Sequence, residues 1–301
     1  MSFKNALKNL VAHFGTVWSL LLYILLFAAL ITGLSLPFIM PIARAFIKAG
    51  VVDGIRSAFG ALFGEGGWNG MWSELNDVFA AVFGVFEDNS VMTTLIMTFF
   101  IFIVVVAFRF FLGLYEIPLA TVIDGRLSCN ANYGFMGKLF STLVTSVGYS
   151  LAKMVVTVSF DAVMALIITG IAQAVGFNMW LLFISVFVFL VLGAFRFSII
   201  ACWAPCVASG EYGVIKGFFH SAKICFKRFG SIYSTYIVSL LLFIAVGMFI
   251  TIFTLGVGLI VILPFGTTYF GYLNATVYYN KSGKRYYVDG AVFVPPVENV
   301  L

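Results

Sequence analysis

The chain is poor in everything that water solvates. Lys, Arg, Asp and Glu make up 10% of its 301 residues and apolar types make up 62%, against roughly a quarter and a half in a soluble domain. That scarcity excludes an ordinary water-soluble globule. Because each helical span takes about 20 apolar residues, little length is left for a separate soluble enzyme domain. Histidine is nearly missing too: His13 and His220 are the whole supply. Neither an H-E-x-x-H metal site nor a histidine-activated nucleophile can be assembled from local sequence. Cys129, Cys202, Cys206 and Cys225 are the only cysteines, and the C-x-x-x-C pair has no adjacent histidine or carboxylate to complete a metal site. Packing roles are expected for them. No catalytic residue, metal or cofactor is expected, and the chain reads as a non-enzyme.

What is present instead is a series of long apolar runs. Spans are expected near Thr16 to Met40, Met92 to Leu114, Val147 to Gly170, Trp180 to Ala201, Ile232 to Thr254 and Gly256 to Tyr278. The fold class expected is all-α: a polytopic transmembrane helical bundle of about six spans with interfacial amphipathic helices. Residues 1–301 read as a single membrane domain. Its parts are a first span (16–42), an extracytoplasmic amphipathic segment (45–90), two repeat units (91–173 and 179–254), a last span (256–279) and a cytoplasmic tail (280–301). The first run exceeds the roughly 7 to 15 residues of a signal-peptide core and lacks a small-x-small cleavage site, so it is expected to remain as a span. A tight Thr254-Leu255-Gly256-Val257-Gly258 turn joins the last two spans.

The net charge of +5 does not point to nucleic acid, because the basic residues flank apolar runs rather than forming one soluble cluster. With both termini inside, Lys4, Lys8, Arg126, Lys138, Lys216, Lys223, Lys227, Arg228, Lys281, Lys284 and Arg285 fall in the cytoplasm, where such residues are retained. Outside lie only Arg44, Lys48 and Arg56, in a segment that also carries Asp53, Glu65, Glu74, Asp77, Glu87 and Asp88. This orientation implies a plasma-membrane protein whose thiols face a reducing compartment.

An internal repeat is visible. Ala107-Phe108-Arg109-Phe110 recurs as Ala194-Phe195-Arg196-Phe197, each followed at the same distance by a proline, Pro118 and Pro205. Gly134-Phe135 answers Gly217-Phe218, and Gly148-Tyr149-Ser150 roughly answers Gly230 to Ser234. The unit reads as span, proline break, short amphipathic helix, span. Chance similarity among Phe-rich segments is the competing explanation. Val91 to Ile123 would make a helix of about 50 Å, longer than a hydrocarbon core of about 30 Å, so a break is expected near Pro118 and again near Pro205.

After Pro205, Ser209 reads as a helix cap. Val214, Phe218, Ala222, Cys225 and Phe229 then share one face, while Lys216, His220, Lys223 and Lys227 share the other. Such a helix suits the cytoplasmic interface, with its lysines and Arg228 near anionic headgroups. Packing beneath the bundle with a solvated basic edge is the alternative. The counterpart, Tyr133 to Leu143, carries only Lys138. In the outer segment, Ile55, Phe59, Leu62 and Phe63 share a face, as do Leu75, Val78, Phe79, Val82 and Phe86. A cap over the bundle or a hairpin on the outer leaflet would hide them, as cover, lid or docking site.

Four intramembrane polar residues are candidates for chemistry: Asp161, Lys153, Arg109 and Arg196. Asp161 must be paired, wet or protonated. Lys153, about 12 Å away along the helix, is expected to snorkel to the interface. The arginines fit headgroup anchoring or a repeat-related anion site. Asp124-Gly125-Arg126 starts like an alcohol-phosphotransferase motif, lacks its later aspartates and reads as a turn. Asn274-Ala275-Thr276 is a sequon inside a span.

The segment Ala194 to Phe229, AFRFSIIACWAPCVASGEYGVIKGFFHSAKICFKRF, resembles a loosely defined group of six-helix membrane proteins of Gram-positive bacteria. The group includes the membrane domain associated with glycerophosphodiester phosphodiesterases. The resemblance implies a Gram-positive plasma membrane; it transfers no catalytic residue, and the phosphodiesterase domain is absent. The expected partners are membrane lipids, anionic ones above all, and a membrane-protein partner. The role expected is action at the lipid interface or as an accessory subunit of a membrane assembly. The competing class is a small-solute or ion transporter or channel with Asp161 in a polar path between the duplicated halves.

Overall fold

The computed structural model describes residues 2–64, 67–88, 90–175, 179–254, 256 and 258–296. Glu65 in the outer segment and Leu255 and Val257 in the last turn lie outside the described residues, as do the side chains of Phe86, Glu87 and Asp88. The described chain is almost wholly helical. In order, it forms α1 (Ser2–Ala12), α2 (Gly15–Lys48), α3 (Val51–Phe63), α4 (Gly67–Asp88) and α5 (Ser90–Phe99). A π-helical segment (Phe100–Ala107) then leads into α6 (Phe108–Leu114), α7 (Glu116–Cys129), α8 (Phe135–Ser141) and α9 (Leu143–Val175). The remainder is α10 (Met179–Ile200), α11 (Trp203–Ala208), α12 (Val214–Lys227), α13 (Phe229–Phe253), α14 (Leu259–Lys281) and a hairpin of β1 (Tyr286–Val288) and β2 (Ala291–Phe293).

Among the described residues, six helical stretches are long and apolar enough to cross a membrane: Gly15–Lys48, Thr93–Cys129, Leu143–Ala174, Phe183–Ala208, Phe229–Phe253 and Leu259–Lys281. Runs of this kind become helices because hydrocarbon offers backbone N–H and C=O groups no partner except one another. Five of the apolar windows are 28% buried or less, whereas that of α14 is 56% buried. The last span is therefore the one other elements pack around.

The long second stretch does break, but at Tyr115, ahead of the proline. Pro118 is the third residue of α7 and Pro205 the third of α11, first-turn positions where a missing N–H costs no intrahelical bond. Three sequence expectations change here. Asp124-Gly125-Arg126 lies inside α7 and is not a turn; the reversal comes at Asn130, whose φ is 53°. Ser209 does not cap α12. It closes α11, donating to the Cys206 carbonyl, while Gly213 stands at the start of α12. Gly217, matched to Gly134 by sequence, sits inside α12, and the residue that opens α12 as Gly134 opens α8 is Gly213. Tyr133-Gly134 and Tyr212-Gly213 are then the equivalent pairs.

The chain divides into two compact units, 27–109 and the rest. In the first, α3 and α4 pack together through small residues, Gly54 against Val78 and Ala61 against Gly70, with Ala58 buried. Phe59, Phe63, Phe79 and Phe83 stay exposed, so the apolar faces read from sequence are not consumed by the hairpin itself.

In the other unit, the core gathers around Trp203. Its ring meets Tyr149 and Phe218 at 4.9 Å each, its indole N–H donates to the Val214 carbonyl, and Ile117, Ala120, Ile200 and Val207 close around it. Cys202, Cys206 and Cys225 are buried in the same region as free thiols, which fits their packing role. Glycine is required at Gly113, where any Cβ would lie 2.9 Å from the Ser150 Cα.

Candidate membrane-interface site

The buried middle of the larger unit carries a polar frame at one end. Arg126 of α7, 8% exposed, donates to Thr16 Oγ1, to Tyr272 Oη of α14 (2.9 Å) and to Asn132 Oδ1 (2.8 Å). Beside it, Tyr279 donates to Asp124. Asn5 and Asn9, one turn apart on α1, hold the β-hairpin: Asn5 donates to Tyr286 Oη, while Asn9 donates to the Tyr287 carbonyl and accepts from the Asp289 N–H. Glu211, in the loop between α11 and α12, accepts from Tyr278 and from Lys284. The first helix, the α11–α12 region, the end of α14 and the C-terminal hairpin therefore meet at one end of the unit.

The Lys284 and Tyr278 hydrogen bonds hold the Glu211 carboxyl below its ordinary value of 4.5. Burial works against the Lys284 ammonium, yet the Glu211 and Tyr278 bonds outweigh it and raise its pKa. A depressed carboxylate stabilises the fold above its ordinary pKa and ceases to do so as pH falls through the folded value. The 209–213 loop should therefore gain amide exchange below pH 4.5, and Glu211→Gln should show the faster exchange at neutral pH already; hydrogen-exchange mass spectrometry reads both. Glu211 is 46% exposed on its side chain, so the effect is confined to the loop.

Two helices lie on this frame with the same three-sided pattern. On α12, Gly217, Ser221, Ile224 and Cys225 face inward; Ile215, Phe219 and Phe226 form an exposed apolar stripe (69%, 66% and 62% exposed); Lys216, Lys223 and Lys227 form an exposed basic stripe beside it. On α1, Asn5, Ala6, Asn9 and Leu10 face inward, Leu7 and Val11 are exposed, and Lys4 and Lys8 flank them. Phe14 and Trp18 extend the apolar stripe into the start of α2. Leaving such side chains in water costs about 1.5 to 3 kcal/mol each, so both stripes call for an apolar neighbour at the level of the lysines.

Of the two sequence readings of α12, packing against the protein with an exposed basic edge is the one that matches. Val214, Phe218 and Ala222 pack on the protein core, and the exposed apolar stripe is a different one. His220 leaves the basic group: its ring stacks on Tyr212 at 4.3 Å, and burial followed by Lys223 lowers its pKa. Arg228 stands between α12 and α13. Lys138, the only basic residue of α8, lies over the Tyr133 ring at 4.2 Å.

The intramembrane candidates divide differently from expectation. Asp161 of α9 accepts from Arg196 of α10 at 2.5 Å. Lys153 does not snorkel; it pairs with Glu116 of α7, which also accepts from Tyr149. Arg109 lies in α6, at the end of the smaller unit.

No family model, curated protein or solved structure matches this chain.

Sequence reasoning passed over α1, the hairpin and Glu116. The hairpin had a signal: Asp289-Gly290 between Tyr286-Tyr287-Val288 and Ala291-Val292-Phe293, the dipeptide favoured where both turn residues need positive φ. Their φ values are 52° and 79°. Glu116 gave no signal beyond being a carboxylate in an apolar run, and that should have prompted a search for its cation.

Proposed function

We propose that this chain is a non-enzymatic integral membrane protein of a Gram-positive plasma membrane that engages anionic lipid at the inner leaflet, alone or as an accessory subunit of a membrane assembly. The observation that carries the reading is the pattern shared by α1 and α12: an inward face, an exposed apolar stripe and a lysine stripe at its edge. Apolar side chains enter the acyl boundary while the ammonium groups beside them meet phosphate. Both termini are cytoplasmic in this reading, because that orientation puts Lys4, Lys8, Lys216, Lys223 and Lys227 on one side with most other basic residues.

An internal duplication belongs to the same proposal. Equal Arg-to-Pro spacing, prolines at the third position of α7 and α11, and Tyr-Gly at the entry to α8 and α12 support it. The copies then diverged, leaving one lysine on α8 and three on α12, where His220 stacks on a tyrosine ring. A transport path built on Asp161 would require parting it from Arg196 during each cycle, since the two are joined.

Replacing Lys216, Lys223 and Lys227 together by Gln tests the lipid reading. At about 1 kcal/mol for each lysine, the preference for phosphatidylglycerol over phosphatidylcholine among lipids retained through purification should fall by about a hundredfold. An unchanged preference would remove the proposal's support.

A further inference from the structure

A groove of about 390 Å³ opens where α1, the first turns of α13 and the end of α14 come together. Its polar end is built from Ser2, Ser231, Ser234, Thr235, Asn280 and Lys281. Lys281 is 7% exposed, yet among the described residues its ammonium makes no hydrogen bond or ion pair, and no carboxylate lines the groove. The charged group acting on it is another cation, Arg228. A buried lysine side chain whose ammonium has no opposite charge beside it favours an anion that can reach that ammonium through the groove. The negative end of the α14 dipole favours a cation here, but supplies no partner to the ammonium itself.

The remaining lining matches an anion. Ser231 belongs to the first turn of α13, a 25-residue helix whose positive end lines the groove, and helix N-termini collect phosphate through free N–H groups and dipole together; the Ile232 N–H is not among them, since it donates to the Arg228 carbonyl. The Ser231 and Ser2 hydroxyls add donors, and those of Ser234 and Thr235, which donate to the Ser231 carbonyl, can turn to an anion by rotation about one bond. Ser2 and Asn280 are already joined, Asn280 Nδ2 donating to Ser2 Oγ at 2.8 Å, so the far wall is held in place. The other end of the groove is apolar, with Phe3, Val277 and Val238. From Val238 the exposed side of α13 continues through Leu241 and Leu242.

We infer that this groove binds one phosphoryl anion between Lys281 and the first turn of α13, and that the anion is a lipid headgroup with its acyl chain lying along Val238, Leu241 and Leu242. The inference rests on the lipid reading above, but uses different residues and predicts a stoichiometric site rather than a general preference. Free phosphate shares the polar chemistry; only a lipid uses the apolar end as well.

The test is native mass spectrometry of the full-length chain in detergent, titrated with phosphatidylglycerol, diacylglycerol or inorganic phosphate. The wild type should hold one phosphatidylglycerol and no diacylglycerol. Lys281→Gln should weaken that binding about tenfold, the loss expected for one charge-assisted contact, and Lys281→Arg should restore it. Ser234→Leu, at an exposed position, blocks the polar end without disturbing the core and should also abolish binding. The Lys216, Lys223 and Lys227 triple Gln variant should keep the single bound lipid, which separates this site from the interfacial preference. Displacement of the lipid by millimolar inorganic phosphate would support the anion site and assign it to a soluble ligand. Unchanged occupancy in both Lys281→Gln and Ser234→Leu would overturn the inference, whatever the triple variant does.

Discussion

Arg126→Met should lower the stability of the detergent-solubilised protein by about 3 kcal/mol, and Arg126→Lys should recover less than half of the loss. The guanidinium holds three oxygen acceptors from three parts of the chain, Thr16, Tyr272 and Asn132. Hydrogen bonds from a charged donor contribute about 1.5 to 3 kcal/mol each, but they do not add, and the desolvation of a buried cation opposes them. A lysine keeps the charge and loses the planar fork, so it cannot reach all three directions. Titration with a denaturing detergent gives the stability change. Limited proteolysis between Asn130 and Gly134 gives its location, because the loop is tied down by Asn132. Equal stability of wild type and Met variant would mean that the frame is held by its apolar contacts alone.

That frame also marks where sequence reasoning runs out. Spans are legible one at a time, since each needs only its own apolar run and internally paired backbone. Hence the six stretches, the two proline breaks and the hairpin of the last two spans were all readable in outline. Arg126 was read as a cytoplasmic flanking charge, and nothing local could say that residues 110 and 146 positions away would receive its N–H groups. Long-range polar pairing leaves no periodic trace.

The second apolar stripe of α12 escaped the sequence for a different reason. A helix with three sides, namely one on the protein core, one exposed and apolar and one exposed and basic, does not divide into one apolar and one polar side. Val214, Phe218 and Cys225 do share a face, and so do Ile215, Phe219 and Phe226. Composition cannot tell which of two apolar stripes meets protein. Packing decides it: Ser221 donates to the Ile199 carbonyl and accepts from the Cys202 N–H, which fixes the rotation of the helix and leaves Phe219 and Phe226 outward. The same rotation brings Lys216, Lys223 and Lys227 to the edge of the exposed stripe, a stripe the two-sided reading did not assign.

Asp161 is the residue for which the two functional readings part most sharply, and a double-mutant cycle with Arg196 separates them. Breaking an enclosed ion pair by removing one charge leaves the other stranded, at a cost of about 3 to 5 kcal/mol in a buried site. With side chains 25% and 19% exposed, about 2 kcal/mol is the expected loss for Asp161→Asn or Arg196→Gln alone. The double variant carries no stranded charge and should regain at least half of that loss, giving a coupling energy of about 3 kcal/mol or more. A staple between α9 and α10 predicts this pattern together with unaltered permeability of proteoliposomes. A solute path through Asp161 predicts the reverse weighting: flux abolished by Asp161→Asn in protein whose stability barely changes, because a carboxylate that releases Arg196 in every cycle cannot also depend on it strongly. Coupling below the error of the cycle would count against the staple and reopen the path.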